Sequence, residues 1–159
     1  MKRVVYLMAV LVAGAFVAGS TMAQGNPWVG TWNLDLAKSK FEGTPAPKSL
    51  TRTVTAEGGA LKYSFEGVSA DGSKVSYSFT TKLDGADSAV SGTGMTGGAD
   101  TVALSRTSAH KISGVTKKGG KQLGKVLADI SNDGKTVTVK TWGKLDGKDV
   151  KTEQVYEKQ

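Results

Sequence analysis

The sequence predicts an all-β protein: a single antiparallel up-and-down β-barrel of about eight to ten strands, with no sizeable helix after an N-terminal leader. Three observations carry this reading. Turn pairs punctuate the chain, namely Gly58-Gly59, Asp71-Gly72, Asp84-Gly85, Gly97-Gly98, Gly119-Gly120, Asp133-Gly134 and Asp146-Gly147. Such pairs supply the positive φ that tight hairpins need. The runs between them alternate apolar and polar residues with the period of two expected of half-buried strands. No stretch sustains a helical period, and hairpin following hairpin favours a meander closed into a barrel over a two-sheet sandwich.

The leader begins with Lys2 and Arg3 as a short basic head. Val4 to Ala18 then carry no charge, and Thr21 and Ala23 stand at the −3 and −1 positions of a cut before Gln24. That is the layout of a cleavable export signal. The uncharged run is shorter than the ~20 apolar residues of a membrane-spanning helix, and the chain has no cysteine to take a lipid anchor. The expected organisation is a signal peptide at 1–23 and one barrel domain at 24–159, with a periplasmic or secreted destination. Without disulfides, packing alone must hold the fold, and a domain of this length buries enough surface to do so.

The formal net charge is +7, of which Lys2 and Arg3 leave with the leader. The remainder is uneven. Residues 24–110 hold eight basic and eight acidic side chains, whereas 111–159 hold eleven lysines against six acids. A basic third attracts anionic surfaces, but these lysines fall in turns or at alternate strand positions, where they read as a solvated face. Export argues against nucleic acid as a partner. The expected partners are a small ligand and, weakly, an anionic membrane surface, with the protein itself a monomer.

Strands are expected near 28–36, 50–57, 60–68, 74–83, 100–107, 111–118, 121–131, 135–143 and 148–157, with a further short one near 87–91. Ala37 to Ser49 reads as a non-strand stretch, with a helical turn at Lys38–Phe41, Phe41 plugging one barrel end, and Pro45 and Pro47 enforcing an extended path. Alternation places Leu61, Tyr63 and Phe65 on one face, and likewise Val75, Tyr77, Phe79 and Leu83. Val102, Leu104 and Arg106 lie together, as do Val137 and Val139, and Thr152, Gln154 and Tyr156. This inward set suits either a packed core or an apolar pocket with a few orienting polar groups.

Gly30-Thr31-Trp32 resembles the G-x-W of the calycin superfamily, which joins lipocalins and fatty-acid-binding proteins. Gln154-Val155-Tyr156-Glu157-Lys158 is similar to the R-x-Y-E-K ending of the fatty-acid-binding branch. Residues 28–159 also resemble small secreted bacterial lipocalin-like proteins, through Gly30, Trp32, Lys38 to Phe41 and Val155 to Gln159. The resemblance implies a lipocalin-like barrel with Gly30 and Trp32 as its structural signature and a basic side chain over the tryptophan. The chain departs from the pattern in lacking a T-D-Y motif, a disulfide and room for a helical lid. In fatty-acid-binding proteins the arginine and tyrosine of R-x-Y hold the ligand carboxylate. Here Gln154 takes the arginine position and only Tyr156 carries over. Arg106 is then the remaining candidate cation, for the ligand or for Trp32. A neutral amide does not offset a buried carboxylate, so the resemblance with this departure implies a preference for neutral ligands.

Other motifs carry no chemistry. Gly92, Gly94 and Gly97 spell G-x-G-x-x-G, but no helix follows to receive a pyrophosphate, and a loop at the barrel mouth is expected. Asp129, Ser131 and Asp133 resemble the start of a calcium loop, yet Lys140 stands where a bidentate glutamate is required. His110, the one histidine, falls in a turn. Trp28 and Trp142 read as packing groups at strand ends or at a mouth.

The functional expectation is therefore non-enzymatic binding or carriage of a small apolar or amphipathic, lipid-like molecule, with no cofactor and no metal. Tyr63, Phe65, Tyr77, Phe79, Val102, Leu104, Val137 and Val139 would line the site, and Arg106, Gln154 and Tyr156 would orient its polar end. The alternative is a filled-core barrel acting as an inhibitor-like module on a protein or the envelope through its basic C-terminal third. The leader reading has a direct check: intact-mass analysis of the exported protein is expected to find Gln24 at the N-terminus, and recovery of residues 4–18 in that form would reject it.

Overall fold

The computed structural model describes residues 25–159, so the expected signal peptide lies outside the described residues. Eleven antiparallel strands follow one another: β1 (Gly30–Glu42), β2 (Ser49–Glu57), β3 (Ala60–Val68), β4 (Lys74–Thr81), β5 (Asp84–Ala89), β6 (Ser91–Thr93), β7 (Thr101–Ser108), β8 (Lys111–Lys118), β9 (Lys121–Ile130), β10 (Thr136–Leu145) and β11 (Lys148–Lys158). Their order in the sheet is β5-β7-β8-β9-β10-β11-β1-β2-β3-β4-β6. Two meanders, β1 to β4 and β7 to β11, are joined where β11 pairs with β1.

β5 and β6, the two edge strands of the sheet, bring the barrel nearly to closure. They are separated in sequence only by Val90, yet Ala89 pairs with Thr101 of β7 while Gly92 pairs with Tyr77 of β4. They form one extended run that changes partner at Val90, whose N–H donates to Asp100 O at 2.9 Å. This run spans the seam between β4 and β7, which are not adjacent in the sheet, and it covers edges that would otherwise present unpaired backbone groups. The expected short strand near 87–91 is this run, and its change of partner brings the count to eleven.

Most turn pairs sit where expected. Asp146 and Gly147 both have positive φ, 50° and 80°, as a two-residue hairpin of the strand-matching hand requires. Asp84-Gly85 does not make its turn. The chain reverses just before it, at Leu83, which takes φ 58°. Leu83 is buried, its N–H donates to Thr81 Oγ1 at 3.1 Å, and its carbonyl accepts from Arg106 N at 2.9 Å. Those contacts hold a bulky residue in a region it rarely adopts. Gly97 and Gly98 lie in a short 3₁₀ turn, Thr96–Gly98, between β6 and β7.

The expectation of a helical turn at Lys38–Phe41 is overturned. These residues belong to β1, which runs on to Glu42 with a bulge against β11 between Asp35 and Lys40. Asp35 Oδ1 accepts from the N–H groups of Ala37 and Lys38 at 3.0 and 3.2 Å. Ser39 Oγ donates to Asp35 O at 2.6 Å and accepts from Val155 N at 2.9 Å. Short polar side chains thus satisfy the backbone groups that the bulge takes out of the ladder. Phe41 pairs opposite Thr152 and is only half-buried. The plug is Trp28, fully enclosed, with its Nε1–H donating to Ala109 O at 3.2 Å.

The strand registers divide the barrel into two ends. Trp28 and the turns after β2, β7 and β9 gather at one end, filled by Trp28, Trp32, Val54, Leu61, Ile112, Ile130 and Val137. The β1–β2 loop, the 3₁₀ turn and the β8–β9 and β10–β11 hairpins gather at the other, the mouth.

Gly92 tests the closure. A Cβ there would stand 2.1 Å from Ser76 O, at φ +103°, whereas at Gly58 it would meet nothing within 4 Å, at φ +54°. Gly92→Ala is expected to lose about 2–4 kcal/mol in urea unfolding and Gly58→Ala only about 1. Equal losses would mean that the close approach at the seam is not what requires the glycine.

Candidate functional site

A cavity of about 180 Å³ runs from the mouth into the barrel. One wall is aromatic. Tyr63 faces Phe79 and Phe65 faces Tyr77 in the β3–β4 register, so their rings stack across the strands with centroids 5.0 and 4.6 Å apart. Such pairs stabilise the sheet and present flat apolar faces inward. The facing wall is small: Thr116, Gly124, Val126, Ala128, Val139, Thr141 and Thr152. Gly124 and Gly143 pair directly, and a Cβ on Gly143 would lie 2.5 Å from Leu123 O. Val102 and Leu104 line the cavity from β7, and Met95, Leu123, Leu145, Trp142, Lys125 and Lys144 surround the mouth.

Deep in this space lies Arg52. On β2 it is flanked in register by Trp32 of β1 and Phe65 of β3, and among the described residues it is the one charged side chain that is buried, 3% exposed. Its guanidinium carbon stands 5.0 Å from the ring centre of Tyr156, 5.4 Å from Trp32 and 6.0 Å from Tyr63. Three aromatic faces therefore surround one cation. Its Nε and Nη2 have no hydrogen-bond partner, and neither does the buried Tyr63 hydroxyl. Burial pulls the guanidinium below its usual pKa, opposed by Tyr156, Tyr63 and Tyr77, but a guanidinium stays charged in a protein.

Several other polar groups in the lining are paired. Tyr156 Oη donates to Gln154 Oε1 at 2.7 Å, and the hydroxyls of Thr141 and Thr152 are 2.7 Å apart. Trp32 Nε1–H donates to Trp28 O at 3.2 Å. The Lys158 ammonium stands 5.0 Å over the Trp32 ring from β11. Gly30 leaves room for it, since a Cβ there would lie 2.7 Å from Lys158 Cε. The glycine and tryptophan of the first strand thus act together.

Of the residues expected to line a site, Tyr63, Phe65, Tyr77, Phe79, Val102, Leu104, Val139, Gln154 and Tyr156 come together around this cavity. Val137 is fully enclosed in the filled end instead, one residue pair below Val139 on the same face. Arg106 stands apart: it lies near the closed end of β7, is exposed, and neither lines the cavity nor covers Trp32. The cation that sequence reasoning sought is Arg52, with Lys158 sharing the tryptophan. Its signal was Leu50-Thr51-Arg52-Thr53-Val54, where a cation occupies the inward position of an alternating strand. The expectation of neutral ligands rested on Gln154 standing where the resembling pattern has an arginine, and Arg52 brings a cation to the cavity from a different strand. His110 sits half-buried in its turn, Nδ1 3.2 Å from Ile130 O, and no metal-binding group of His, Asp and Glu side chains occurs among the described residues.

The sequence matches no protein-family model and no curated protein. The fold is similar to solved structures. A zebrafish ileal bile-acid-binding protein complexed with cholic acid superposes with a TM-score of 0.51 at 12% identity, over 84% of this chain and 99% of that one. Apocrustacyanin C2 follows at 0.47 and 8% identity, over 87% of this chain and 64% of the other. A siderocalin described as having dual ligand specificities stands at 0.37 and 12% identity, over 84% of this chain and 74% of that one. The first of these shares the fold, a nearly closed antiparallel β-barrel.

Burial raises the phenol pKa of Tyr63 and pushes those of Tyr77 and Tyr156 well above the usual tyrosine range, with Arg52 opposing the shift at each. The fourth tyrosine, Tyr6, lies outside the described residues, in the expected leader. Because the folded pKa values are raised, the stability these phenols confer is complete below pH ~10 and is lost as pH rises from there toward the folded values. Absorbance titration of the protein from Gln24 onward is expected to show no phenolate near pH 10. All three should then ionise together in one alkaline unfolding step. A normal titration of any one of them would place it outside the sealed interior.

Proposed function

We propose that this calycin-type barrel binds a small apolar or amphipathic molecule in its interior and carries or sequesters it without chemical conversion, in the periplasm or outside the cell. The observation that carries the reading is the cavity itself: it reaches from the mouth between a stacked aromatic wall and a wall of small residues. Its volume of about 180 Å³ is close to the ~150 Å³ apolar cavity that takes up benzene. It is below the ~300 Å³ at which pockets for drug-sized ligands begin. The enclosed part therefore suits an apolar body of on the order of ten non-hydrogen atoms, and anything longer would extend through the mouth.

The lining offers hydroxyls, one amide, one guanidinium and, at the mouth, the amino groups of Lys125 and Lys144, but no carboxylate or imidazole to act as a general base. This favours binding over catalysis. In the basic C-terminal third, Lys111, Lys117, Lys140 and Lys144 pair with Asp129, Asp87, Glu153 and Asp149 at 3.4, 2.6, 3.4 and 3.0 Å. Exposed pairs of this kind add little stability, but they interleave the charges.

N-phenyl-1-naphthylamine, a neutral dye that brightens in apolar surroundings, is expected to bind the folded protein saturably and to be displaced by 1-octanol. Ala128→Phe, which fills the small wall, should weaken the dye at least tenfold while the protein stays folded. Dye uptake only on partial unfolding would show a filled core and reject the reading.

A further inference from the structure

We propose that the cavity selects small monoanionic acids, an apolar body carrying one carboxylate or similar oxyanion, and that Arg52 is the group that holds the acid. This rests on the binding-barrel reading and narrows it to a class of ligand.

The geometry of the unpartnered atoms is specific. Nε and Nη2 of Arg52 have no hydrogen-bond partner, and these two nitrogens lie on the same edge of the guanidinium plane. That edge is the one a carboxylate bridges with two parallel N–H···O bonds. Arg52 lines the cavity and is 3% exposed, so such a pair would form out of bulk water, where it is screened least. The Tyr63 hydroxyl, also buried and unpartnered, belongs to a ring whose centre is 6.0 Å from the guanidinium carbon and can donate to the same oxyanion.

Charge leads the same way. No carboxylate acts on Arg52, whose titratable neighbours are the neutral phenols of Tyr156, Tyr63 and Tyr77. Aromatic faces attract a cation but do not neutralise it. An incoming anion would supply both the missing counter-charge and the missing acceptors. Lys125 at the mouth adds positive potential along the route, which favours anions in transit. The competing role for Arg52 is purely structural, as a cation laid over Trp32. Lys158 already stands 5.0 Å over that ring, and a structural role leaves the ligand's charge without effect.

The test is calorimetric titration of the protein from Gln24 onward with 4-phenylbutyrate and with 4-phenylbutan-1-ol, which share one apolar body. The wild type is expected to bind the carboxylate at least tenfold more tightly, a preference that persists in 0.5 M salt. Arg52→Met should remove that preference while alcohol binding changes less than about threefold, and Arg52→Lys should restore part of it. Equal binding of the two probes by the wild type overturns the inference and leaves the binding barrel standing, and this comparison needs no variant to fold. A preference that survives in folded Arg52→Met overturns it as well. Binding of neither probe overturns both readings.

Discussion

Enclosing the Arg52 guanidinium away from water costs several kcal/mol, and the barrel offsets part of this with the faces of Trp32, Tyr63 and Tyr156, each within 6.0 Å and each worth roughly 0.5–2 kcal/mol. That arrangement fixes much else. Trp32 must lie flat against the cation, and its Nε1–H is held by Trp28 O. Trp28 is thereby drawn over the closed end, where its own Nε1–H ties it to Ala109. Lys158 shares the Trp32 ring only because residue 30 has no side chain. Three strands, β11, β1 and β2, are thus coupled through one indole at the place where the two meanders meet.

The same layout explains why the barrel is filled at one end and open at the other. Below Arg52 the inward positions carry Trp28, Trp32, Leu61, Ile112, Ile130 and Val137, which interlock into a core. Above it the bulk is unevenly shared. The β3–β4 wall carries four aromatic rings, while Ala128, Gly124, Gly143, Thr141 and Thr152 face them. Two walls of aromatics would meet in the middle, and two walls of small residues would draw the sheet inward. One of each leaves the cavity between them. The hydroxyl pair of Thr141 and Thr152 satisfies itself, so that wall is less polar than its composition suggests.

Much of this was legible in the sequence because period-two alternation and hairpin glycines are local signals. The strand at 60–68 and its partner at 74–83 announced an inward aromatic set, and the register supplied the stacking. What escaped depended on distant partners. The bulge at Asp35 to Lys40 is held by side-chain contacts to its own backbone and by Val155 of β11, and no local pattern distinguishes it from a helical turn. The reversal at Leu83 defeats the rule that turns fall on Asp-Gly, because Thr81 and Arg106 stabilise the unusual residue from outside the turn. Arg52 was overlooked because an alternating strand with one inward cation reads as an edge or a register slip. Its role emerges only once Trp32, Tyr63 and Tyr156 are seen to converge on it. Arg106 was the reverse case: it shares a face with Val102 and Leu104, but β7 ends too near the rim to keep it inside.

The departure at Gln154 and the presence of Arg52 are best understood as one change. Tyr156 remains where the resembling pattern has a tyrosine, and its ring lies 5.0 Å from the Arg52 carbon. An arginine at 154, two residues away on the same face, would bring a second cation toward that ring in a medium of low dielectric, where like charges repel strongly. A glutamine avoids the repulsion. It also accepts the Tyr156 hydroxyl at 2.7 Å, which orients the phenol ring against the guanidinium. The neutral amide on β11 thus accompanies the cation on β2, one strand removed across β1, and among the described residues the interior holds a single buried positive charge.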